Sequence, residues 1–439
     1  MSIKKENPKV DFVKNEHEIL DYWSKNKTFE KLVEKNSNGP KWSFLDGPIT
    51  ANNPMGVHHA WGRTLKDLYQ RYKSMNGHQL RYQNGFDCQG LWVEIEVEKE
   101  LGIKSKKEVE DLGIEKFVNL CKERVEKFSE VQKDQSIRLG YWMDWDNSYF
   151  TMSEENNYAI WAFLKKLHED GKIYRGTDVV PWSGRSGTSY SQMEIIEGRK
   201  LTVHKGVFVK FPLKDKENEN ILIWTTTPWT LSSNIAVAVN KKINYAKIKA
   251  QDGSIYFVAE TNLKYQRLNK EFAEKKNWVD GVPKLKTLDQ IFKERGGYEI
   301  IEVIKGEKLI GLTYQGPFDH LEPQNSKGGY PIHDTSNLQD KSAIDCHIII
   351  DGGKDSEGND MVVEGEGTGF VHMAGGCGAI DNKICKKEGF VEISPIDNQA
   401  NFIHGFDFMS GLSVTDPETA QKIISNLKER DLLLYVEDY

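Results

Sequence analysis

Apolar residues near the start of the chain recur at the spacing of an amphipathic helix. Ile19, Leu20 and Trp23 would share one helix face. Asn15 can cap this helix, with Glu18 three residues later completing a capping box. The pattern therefore predicts that the fold opens with an amphipathic helix.

A strand, a loop, a helix and a second strand follow in that order. Residues 42–45 have the composition of a strand and lead into a loop rich in Gly, Pro and Asn at 46–56. The next helix has apolar residues at i, i+3, i+4 and i+7, namely Leu65, Leu68, Tyr69 and Tyr72. Gly77 can end it before a strand at 79–82. This order predicts one parallel βαβ unit, with its loop at the carboxyl end of the first strand, where open α/β sheets bind ligands.

The pattern changes from helical to β-rich near residue 200. Helical spacing continues from 107 to 166, with Ser153 as a cap within that stretch. Residues 206–211 and 221–227 are β-rich runs joined by a polar turn. We expect a domain boundary near residues 195–205.

Composition narrows the class of protein without giving its function. The 439 residues carry a net charge of −7 and are 38% hydrophobic and 28% charged, as in soluble globular proteins. The five cysteines form no CxxC pair, which favours a reducing cytoplasm and argues against disulfides and a cysteine zinc site. No stretch is long and apolar enough to span a membrane, and no secretory signal is expected.

Two segments of the first half contain candidate chemistry. The loop from Asp46 ends in His58 and His59 at a helix start, where imidazoles can donate hydrogen bonds to a phosphate. The alternative is a pair of histidines at an ordinary helix N-terminus. Asp87, in the segment 85–94, follows the second strand and can pair with an ammonium group. It could equally cap a helix.

Two segments of the β-rich half complete the set. Residues 224–234 contain three consecutive threonines, which either line up hydroxyls for a polar ligand or form a sheet edge ended by proline. Residues 366–381 are rich in glycine, which allows tight turns and close approach of backbone. Asp381 follows them as a candidate anionic anchor.

These four segments, in this order and at these separations, resemble the class I aminoacyl-tRNA synthetases of the isoleucine, valine and leucine group. The pair Trp-Thr-Thr-Thr-Pro-Trp-Thr and Gly-Thr-Gly-x-Val-His is typical of that group's editing insertion. Residues 85–94, the stretch from 107 and residues 140–147 are most similar to the isoleucyl branch. The resemblance extends from the opening helix to the end of the sequence.

The resemblance implies an α/β fold: the first half of a Rossmann-type class I synthetase catalytic domain with an inserted β-rich editing domain. The expected domains are an N-terminal helical segment at 1–40, the first half of the catalytic domain at 41–198, the editing domain at 199–395, and the end of the insertion at 396–439. The last of these should contain a helix at 417–430 and an extended tail.

For the synthetic site, the resemblance implies binding of ATP, with Mg²⁺, by a His-x-Gly-His signature. Only His59 keeps its place in that signature, because Gly56 stands where the first histidine belongs. We therefore expect Gly56, His58 and His59 at the ATP phosphates, with His59 and then His58 as the catalytic imidazoles. Pro48 matches a residue of the isoleucine side-chain pocket, and Asp87 matches the carboxylate that binds the substrate ammonium group.

The implied activity is that of an isoleucine–tRNA ligase, which activates isoleucine with ATP and transfers it to tRNA(Ile). One methylene is worth only about 1–3 kcal/mol of discrimination, a limit for which isoleucine and valine are the standard illustration. A second site that hydrolyses mischarged valyl-tRNA(Ile) overcomes this limit on discrimination. The editing residues implied by the resemblance are Thr225, Thr226, Thr227, Asn234, His372 and Asp381.

Several features depart from the family pattern. Gly375 and Ile380 stand where the group usually has proline and an acidic residue, and serines replace possible zinc ligands at 182–187, so we expect no metal site there. A Lys-Met-Ser-Lys-Ser-like loop is absent from the sequence. We therefore expect that the chain cannot charge tRNA by itself, and that residues 1–200 expose apolar surface and are poorly soluble. The full-length protein should be a cytoplasmic monomer without a membrane partner.

Three other interpretations remain open at this point. The chain could belong to a valyl-tRNA synthetase, or it could be a free-standing editing or tRNA-binding module with a vestigial synthetase half. An unrelated Rossmann nucleotide-binding protein would have to contain the threonine run and the Gly-Thr-Gly-x-Val-His segment by chance.

Overall fold

The computed structural model describes residues 10–44, 46–198, 200, 202–265, 285–332, 339–354, 358–365 and 367–439. The chain forms two compact units, one up to Arg175 and the other from Gly176. Leu45, the last residue of the expected strand 42–45, and Glu366, the first of the glycine-rich segment, lie outside the described residues.

The first unit contains both helices and short strands. Its helices are α1 (Phe12–Asn26), α2 (Thr28–Lys35), α3 (Val57–Met75), α4 (Leu91–Leu101), α5 (Lys106–Leu112), α6 (Ile114–Arg138) and α7 (Glu154–Glu169). Its strands are β1 (Lys41–Trp42), β2 (Ile49–Thr50), β3 (Gln79–Leu80), β4 (Gln83–Asp87) and β5 (Asp144–Phe150).

The predicted parallel βαβ arrangement is confirmed. β1 pairs in parallel with β3, with Lys41 opposite Gln79, and α3 lies between them in the chain. β4 pairs in parallel with both β2 and β5. Residues 46–56 therefore follow the carboxyl end of β1 and lead into the N-terminus of α3, but the segment expected to be a loop contains the short strand β2, which pairs with β4.

Helix ends follow local capping chemistry. The side chain of Asp11 accepts the N–H of Lys14 at 3.1 Å and caps α1, so the expected Asn15 cap is wrong. The helix simply starts one turn earlier, at an equally good cap. The Ser153 cap of α7 is confirmed, with its Oγ accepting the N–H of Asn156 at 3.3 Å. Gly77 has a φ of +79° just beyond α3, the left-handed conformation that ends helices.

The helical stretch expected from 107 to 166 is interrupted by a strand. β5 pairs with β4, where Gly85 lies opposite Tyr149. Tyr149 and Phe150 lie in a short segment whose strand character comes from pairing with β4 rather than from its own composition.

Helix α3 places its apolar residues outward in the described part of the first unit. Trp61, Leu68 and Tyr72 are 69%, 62% and 62% exposed, whereas Arg63 and Gln70 are buried. The helix therefore uses a polar face against the sheet. The expected uncovered apolar surface is present, and poor solubility stays a prediction.

The second unit is dominated by strands. They are β6 (Trp182–Ser183), β7 (Thr188–Ser189), β8 (Lys205–Pro212), β9 (Glu219–Thr225), β10 (Ala236–Val239), β11 (Asn244–Ala250), β12 (Ile255–Ala259), β13 (Tyr298–Lys305), β14 (Ile349–Asp351), β15 (Val371–Met373) and β16 (Leu433–Asp438). Its helices are α8 (Gln192–Gly198), α9 (Leu288–Glu294), α10 (Glu322–Asn325), α11 (Ala379–Lys387) and α12 (Pro417–Glu429).

Two sheets enclose the core of this unit. A six-stranded sheet has the order β13-β11-β12-β9-β8-β16, and a three-stranded sheet has the order β14-β10-β15. All four residues of β10 are buried. The helix expected at 417–430 is confirmed as α12, and the extended tail becomes β16, which pairs antiparallel with β8.

The two compact units divide between Arg175 and Gly176, earlier than the change of sequence texture near residue 200. The β6–β7 hairpin packs within the second unit, where the Trp182 indole N–H donates to the carbonyl of Asn398 at 2.9 Å. The domain limits expected from the sequence stay a prediction. Among the described residues, no helix has the length and apolar character to cross a membrane.

Candidate functional site

The first unit contains an open pocket of about 350 Å³ at the junction of the loop 46–56 and α3. Its lining residues are Gly47, Pro48, Ile49, Thr50, His58, His59, Gly62, Arg63 and Lys66. Three of the expected synthetic-site residues, Pro48, His58 and His59, are thus brought together. Gly56 is the N-cap of α3 and lies beside them in sequence.

The two histidines form one unit at the start of α3. Their ring centroids are 3.9 Å apart, and the backbone N–H of Gly56 donates to Nδ1 of His59 at 3.1 Å. Because Nδ1 accepts that bond, the ring hydrogen of neutral His59 is on Nε2. Burial first, then the neighbouring His58 and Arg63, lower the pKa of His59, so the neutral donor form is favoured.

Asp87 ends β4 but does not line this pocket. Its Oδ2 accepts the hydroxyl of Thr50, a lining residue, at 2.8 Å. The alternative role as a helix cap is wrong, because the N-cap of α4 is Gly90. Asp87 therefore lies directly behind the pocket wall.

Two cationic side chains of this pocket were not predicted from the sequence. Lys66 forms an ion pair with Asp46 and also donates to the carbonyl of Gly47 at 3.3 Å. Arg63 is buried and donates to Oδ1 of Asn84 at 3.1 Å. Arg63 and Lys66 lie four and seven residues after His59. Helical spacing from that histidine would have placed both on the same helix face.

The second unit contains an open pocket of about 410 Å³. Its lining residues are Trp224, Thr225, Thr226, Thr227, Trp229, Thr230, Gly367, Phe370, Val371, His372, Ala374, Cys377, Gly378 and Asp381. Five of the six expected editing residues, all except Asn234, are among them. The fold thus brings together residues that are up to 156 positions apart in the sequence.

Four elements deliver these side chains. β9 ends at Thr225, and a 3₁₀ turn, Pro228–Ser233, carries the chain from the threonines towards β10. β15 pairs antiparallel with β10, with His372 opposite Val237. Asp381 lies in the first turn of α11, which follows β15 closely. The pocket therefore forms where strands of two sheets, a tight turn and a helix start meet.

The tautomer of His372 follows from its contact with Thr230. The Thr230 hydroxyl donates to the carbonyl of Thr227 at 2.8 Å and lies 3.0 Å from Nε2 of His372. Because that hydroxyl has one hydrogen, Nε2 must be the donor to Thr230, which leaves Nδ1 as the acceptor. Burial lowers the pKa of His372 to about 4, so the ring is neutral near neutral pH.

Asp381 is the acidic group of this pocket. The backbone N–H of Ala374 donates to its Oδ2 at 3.0 Å. Burial raises the pKa of Asp381, and the same burial, together with Asp381 itself, raises the pKa of the Cys377 thiol well above its usual range. A cation placed here would restore the ionised carboxylate, which makes the pocket suited to an ammonium group.

Asn234 lies behind the pocket rather than in its lining. Its Nδ2 donates to the carbonyl of Ala236 at 3.1 Å, and its Oδ1 accepts the hydroxyl of Tyr314 at 2.7 Å. Thr230 is a lining residue that was not predicted, although it lies inside the threonine-rich segment. Trp229, Phe370 and Cys377, also not predicted, add an apolar wall.

The family model and the curated relatives that match this chain agree with each other. Residues 18–301 match the family described as tRNA synthetases class I (I, L, M and V). The chain is 34% identical over 436 residues to the isoleucine–tRNA ligase of Clostridium tetani, covering 99% of this chain and 37% of that protein. It is 33% identical over 436 residues to the isoleucine–tRNA ligase of Clostridium acetobutylicum, with the same coverage of 99% and 37%.

The chain therefore spans about 37% of the length of these curated relatives. Among solved structures, the ternary complex of Agrobacterium radiobacter LeuRS with tRNA and LeuAMS aligns over 98% of this chain and 48% of that chain. The alignment has 13% sequence identity and a TM-score of 0.34, which is too low to support an argument about this chain.

Proposed function

Because the chain belongs to the class I tRNA synthetases of the isoleucine, leucine, methionine and valine group, we propose that it is part of an isoleucine–tRNA ligase whose second unit hydrolyses valyl-tRNA(Ile). The relatives named isoleucine–tRNA ligase match nearly the whole chain, which supports isoleucine over the other amino acids of the group. The activity of the whole protein requires ATP, Mg²⁺, isoleucine and tRNA(Ile) in this proposal.

One observation carries the hydrolytic part of the proposal. Thr225, Thr226, Thr227, His372 and Asp381 line a single pocket with an apolar wall. An aminoacyl ester offers an ammonium group, a small apolar side chain and an ester carbonyl. Those three features match a buried carboxylate, the apolar wall and a row of hydroxyls.

The chain's own residues suggest how hydrolysis proceeds. Asp381 binds the α-ammonium group and so fixes the ester carbonyl relative to the threonine hydroxyls. Water attacks that carbonyl, the bond from carbon to the ribose oxygen breaks, and the products are valine and free tRNA. His372 is neutral and its Nε2 holds the Thr230 hydroxyl at the pocket wall, while its Nδ1 is buried and has no hydrogen-bond partner among the described residues.

In the first unit, the same family membership supports an ATP-binding role for the pocket at His58 and His59. Neutral His59 can donate from Nε2 to a phosphate as charge develops on it. Arg63 and Lys66 add positive charge to the same wall. Asp87, behind Thr50, is the proposed anchor of the isoleucine ammonium group, and Pro48 the proposed contact to its side chain.

The decisive experiment is hydrolysis of valyl-tRNA(Ile) and isoleucyl-tRNA(Ile) by the purified chain. We expect selective loss of the valyl ester and a decrease of at least about tenfold in Asp381→Ala, because an ammonium group loses the carboxylate that lines the pocket. Asp252→Ala, which replaces an exposed aspartate of the β11–β12 turn, is the matched control. Equal rates for wild type and Asp381→Ala would refute the editing assignment.

A further inference from the structure

A group of polar side chains lies inside the apolar core of the second unit, directly behind the pocket. Asn234, Tyr314 and His347 are at most 1% exposed, among buried residues such as Phe318 and Ile349. Polar groups in such a place cost free energy unless they are hydrogen-bonded to each other. Their hydrogen-bond partners therefore decide whether the core accommodates them.

Tyr314 is the centre of this group. Its hydroxyl donates to Oδ1 of Asn234 at 2.7 Å, and its ring stacks on His347 with centroids 5.0 Å apart and planes 11° apart. Nε2 of His347 is 3.3 Å from the carbonyl oxygen of Asn234 and must be the donor, since a carbonyl only accepts. Burial, with Asp319 nearby, raises the pKa of Tyr314, so its hydroxyl keeps the proton that it donates.

Gln324 also holds this stretch of backbone, and Asp319 lies beside His347. The side-chain amide of Gln324 donates to the carbonyls of Ser232 and Asn234, at 2.9 and 3.1 Å. Nδ1 of His347 lies 3.4 Å from a carboxylate oxygen of Asp319. The backbone at Ser232 and Asn234 is thus held by side chains from another part of the chain, residues 314–347.

This stretch of backbone is the end of the turn that forms the pocket wall. The 3₁₀ turn Pro228–Ser233 runs directly into Asn234, and it carries Thr230. Thr230 in turn contacts Nε2 of His372 at 3.0 Å. A displacement of Asn234 would therefore move Thr230 relative to His372, and catalysis is sensitive to shifts of about 1 Å.

We propose that Tyr314 is a positioning residue for ester hydrolysis: its hydroxyl holds Asn234, and through it the turn Pro228–Ser233, so that Thr230 stays hydrogen-bonded to His372. The inference rests on the proposed hydrolytic function of the pocket. It also gives Asn234 a role from outside the pocket lining. Hydrogen-bonded polar groups of this kind specify one arrangement of a core where apolar packing alone would allow several.

The test is steady-state hydrolysis of valyl-tRNA(Ile) by the whole chain carrying Tyr314→Phe. We expect kcat to fall about tenfold while KM stays within about twofold, since the substrate contacts remain and only their alignment is lost. Tyr256→Phe, which removes the hydroxyl of another fully buried tyrosine in a separate apolar cluster, should leave both constants unchanged. A Tyr314→Phe protein with wild-type kcat would overturn the inference.

A double-mutant cycle tests whether Tyr314 acts through the turn that carries Thr230. In a Thr230→Val background, Tyr314→Phe should cost less than about threefold in kcat, because both changes break the same alignment. A cost that is unchanged by Thr230→Val would contradict action through the turn. If Tyr314→Phe does not fold, Asn234→Ser removes the same hydrogen bond from its acceptor side and serves in its place.

The two proposals fail in different ways. A wild-type chain that does not hydrolyse the valyl ester removes the hydrolytic function and the positioning role together. A wild-type chain that is active and sensitive to Asp381→Ala, but not to Tyr314→Phe or Asn234→Ser, removes the positioning role alone.

Discussion

At the scale of single residues, the second pocket contains two partly buried titratable groups with shifted pKa values. His372 is held neutral by burial. Asp381 has a raised pKa because burial disfavours its charge, and an incoming ammonium group would reverse that effect. We therefore predict that the rate of hydrolysis depends on pH through Asp381, and that the stability of the chain depends on pH through His372.

The rate of hydrolysis should fall on the acid side as Asp381 becomes protonated. Because the pKa of Asp381 is raised, the midpoint of kcat/KM for valyl-tRNA(Ile) should lie above the ordinary value of 3.8. The pH profile of kcat/KM for His372→Gln should keep this acid limb, that is, the same decrease at low pH. This result would assign the decrease to the carboxylate and not to the imidazole. A limb that disappears in His372→Gln would assign it to the histidine instead.

The stability of the chain should fall in acid because of His372. Its pKa is lowered from 6.5 to about 4 on folding, so the unfolded chain binds the proton first and stability is lost as pH falls from 6.5 towards 4. This group accounts for a loss of about 3 kcal/mol across that window. Urea titrations of wild type and His372→Gln measure it, and His404→Gln, at an exposed histidine, is the control.

The His372→Gln chain should lose less stability than wild type across the same pH window. Above 6.5 the two pH dependences should run parallel, since neither unfolded nor folded His372 then binds a proton. Equal losses in both proteins would show that His372 is not held neutral by the fold.

At the scale of elements, the segment that leads into β15 depends on close backbone approach. Gly369 has a φ of +81°, and a Cβ at this position would lie 2.3 Å from the Cβ of Ala259 on β12. Its carbonyl also accepts the hydroxyl of Tyr245 at 2.7 Å. The glycine thus allows the chain to pass β12 on its way to His372.

Gly369→Ala should therefore destabilise the second unit more than a glycine substitution that costs conformation alone. Gly253→Ala is the matched comparison, because Gly253 has a φ of +90° with no heavy atom within 4 Å of the added Cβ. We expect about 1–2 kcal/mol for Gly253→Ala and at least ~3 kcal/mol for Gly369→Ala, measured by urea unfolding. Equal costs would mean that the backbone near Ala259 moves aside freely.

At the scale of the whole molecule, the two units differ in how completely they bury apolar residues. The second unit has one large buried cluster that includes β10 and both of its neighbours, β14 and β15. In the part of the chain that the structure describes, the first unit has three smaller clusters, and α3 presents a stripe of exposed apolar side chains along its length. Exposed apolar side chains that share one helix face favour association with another apolar surface.

The first unit should therefore make the purified chain self-associate. Leu68→Glu together with Tyr72→Glu, on the exposed face of α3, should reduce self-association in sedimentation velocity without changing hydrolysis of valyl-tRNA(Ile). Glu155→Gln, at an exposed polar position of α7, is the control. A wild-type chain that is monomeric at high concentration would contradict this prediction.

Much of the local structure could be predicted from the sequence because it depends on neighbours along the chain. The βαβ order, the cap at Ser153, the β8–β9 hairpin and α12 follow from spacing and turn residues. The Asn15 cap and the missed strand β5 were wrong because two good caps lay close together and because pairing, rather than composition, makes β5 a strand.

By itself, the sequence determined which residue types were available for the site. The threonine run, His372 and Asp381 could all be recognised from the sequence. Only the tertiary structure decided that they share a pocket, that Asn234 supports it from behind, and that Thr230 sets the tautomer of His372. The pairing of β10 with β15 brings residues 237 and 372 together. The physical reason is that hydrogen bonds and burial depend on distance in space, which a strand pairing across more than a hundred residues creates.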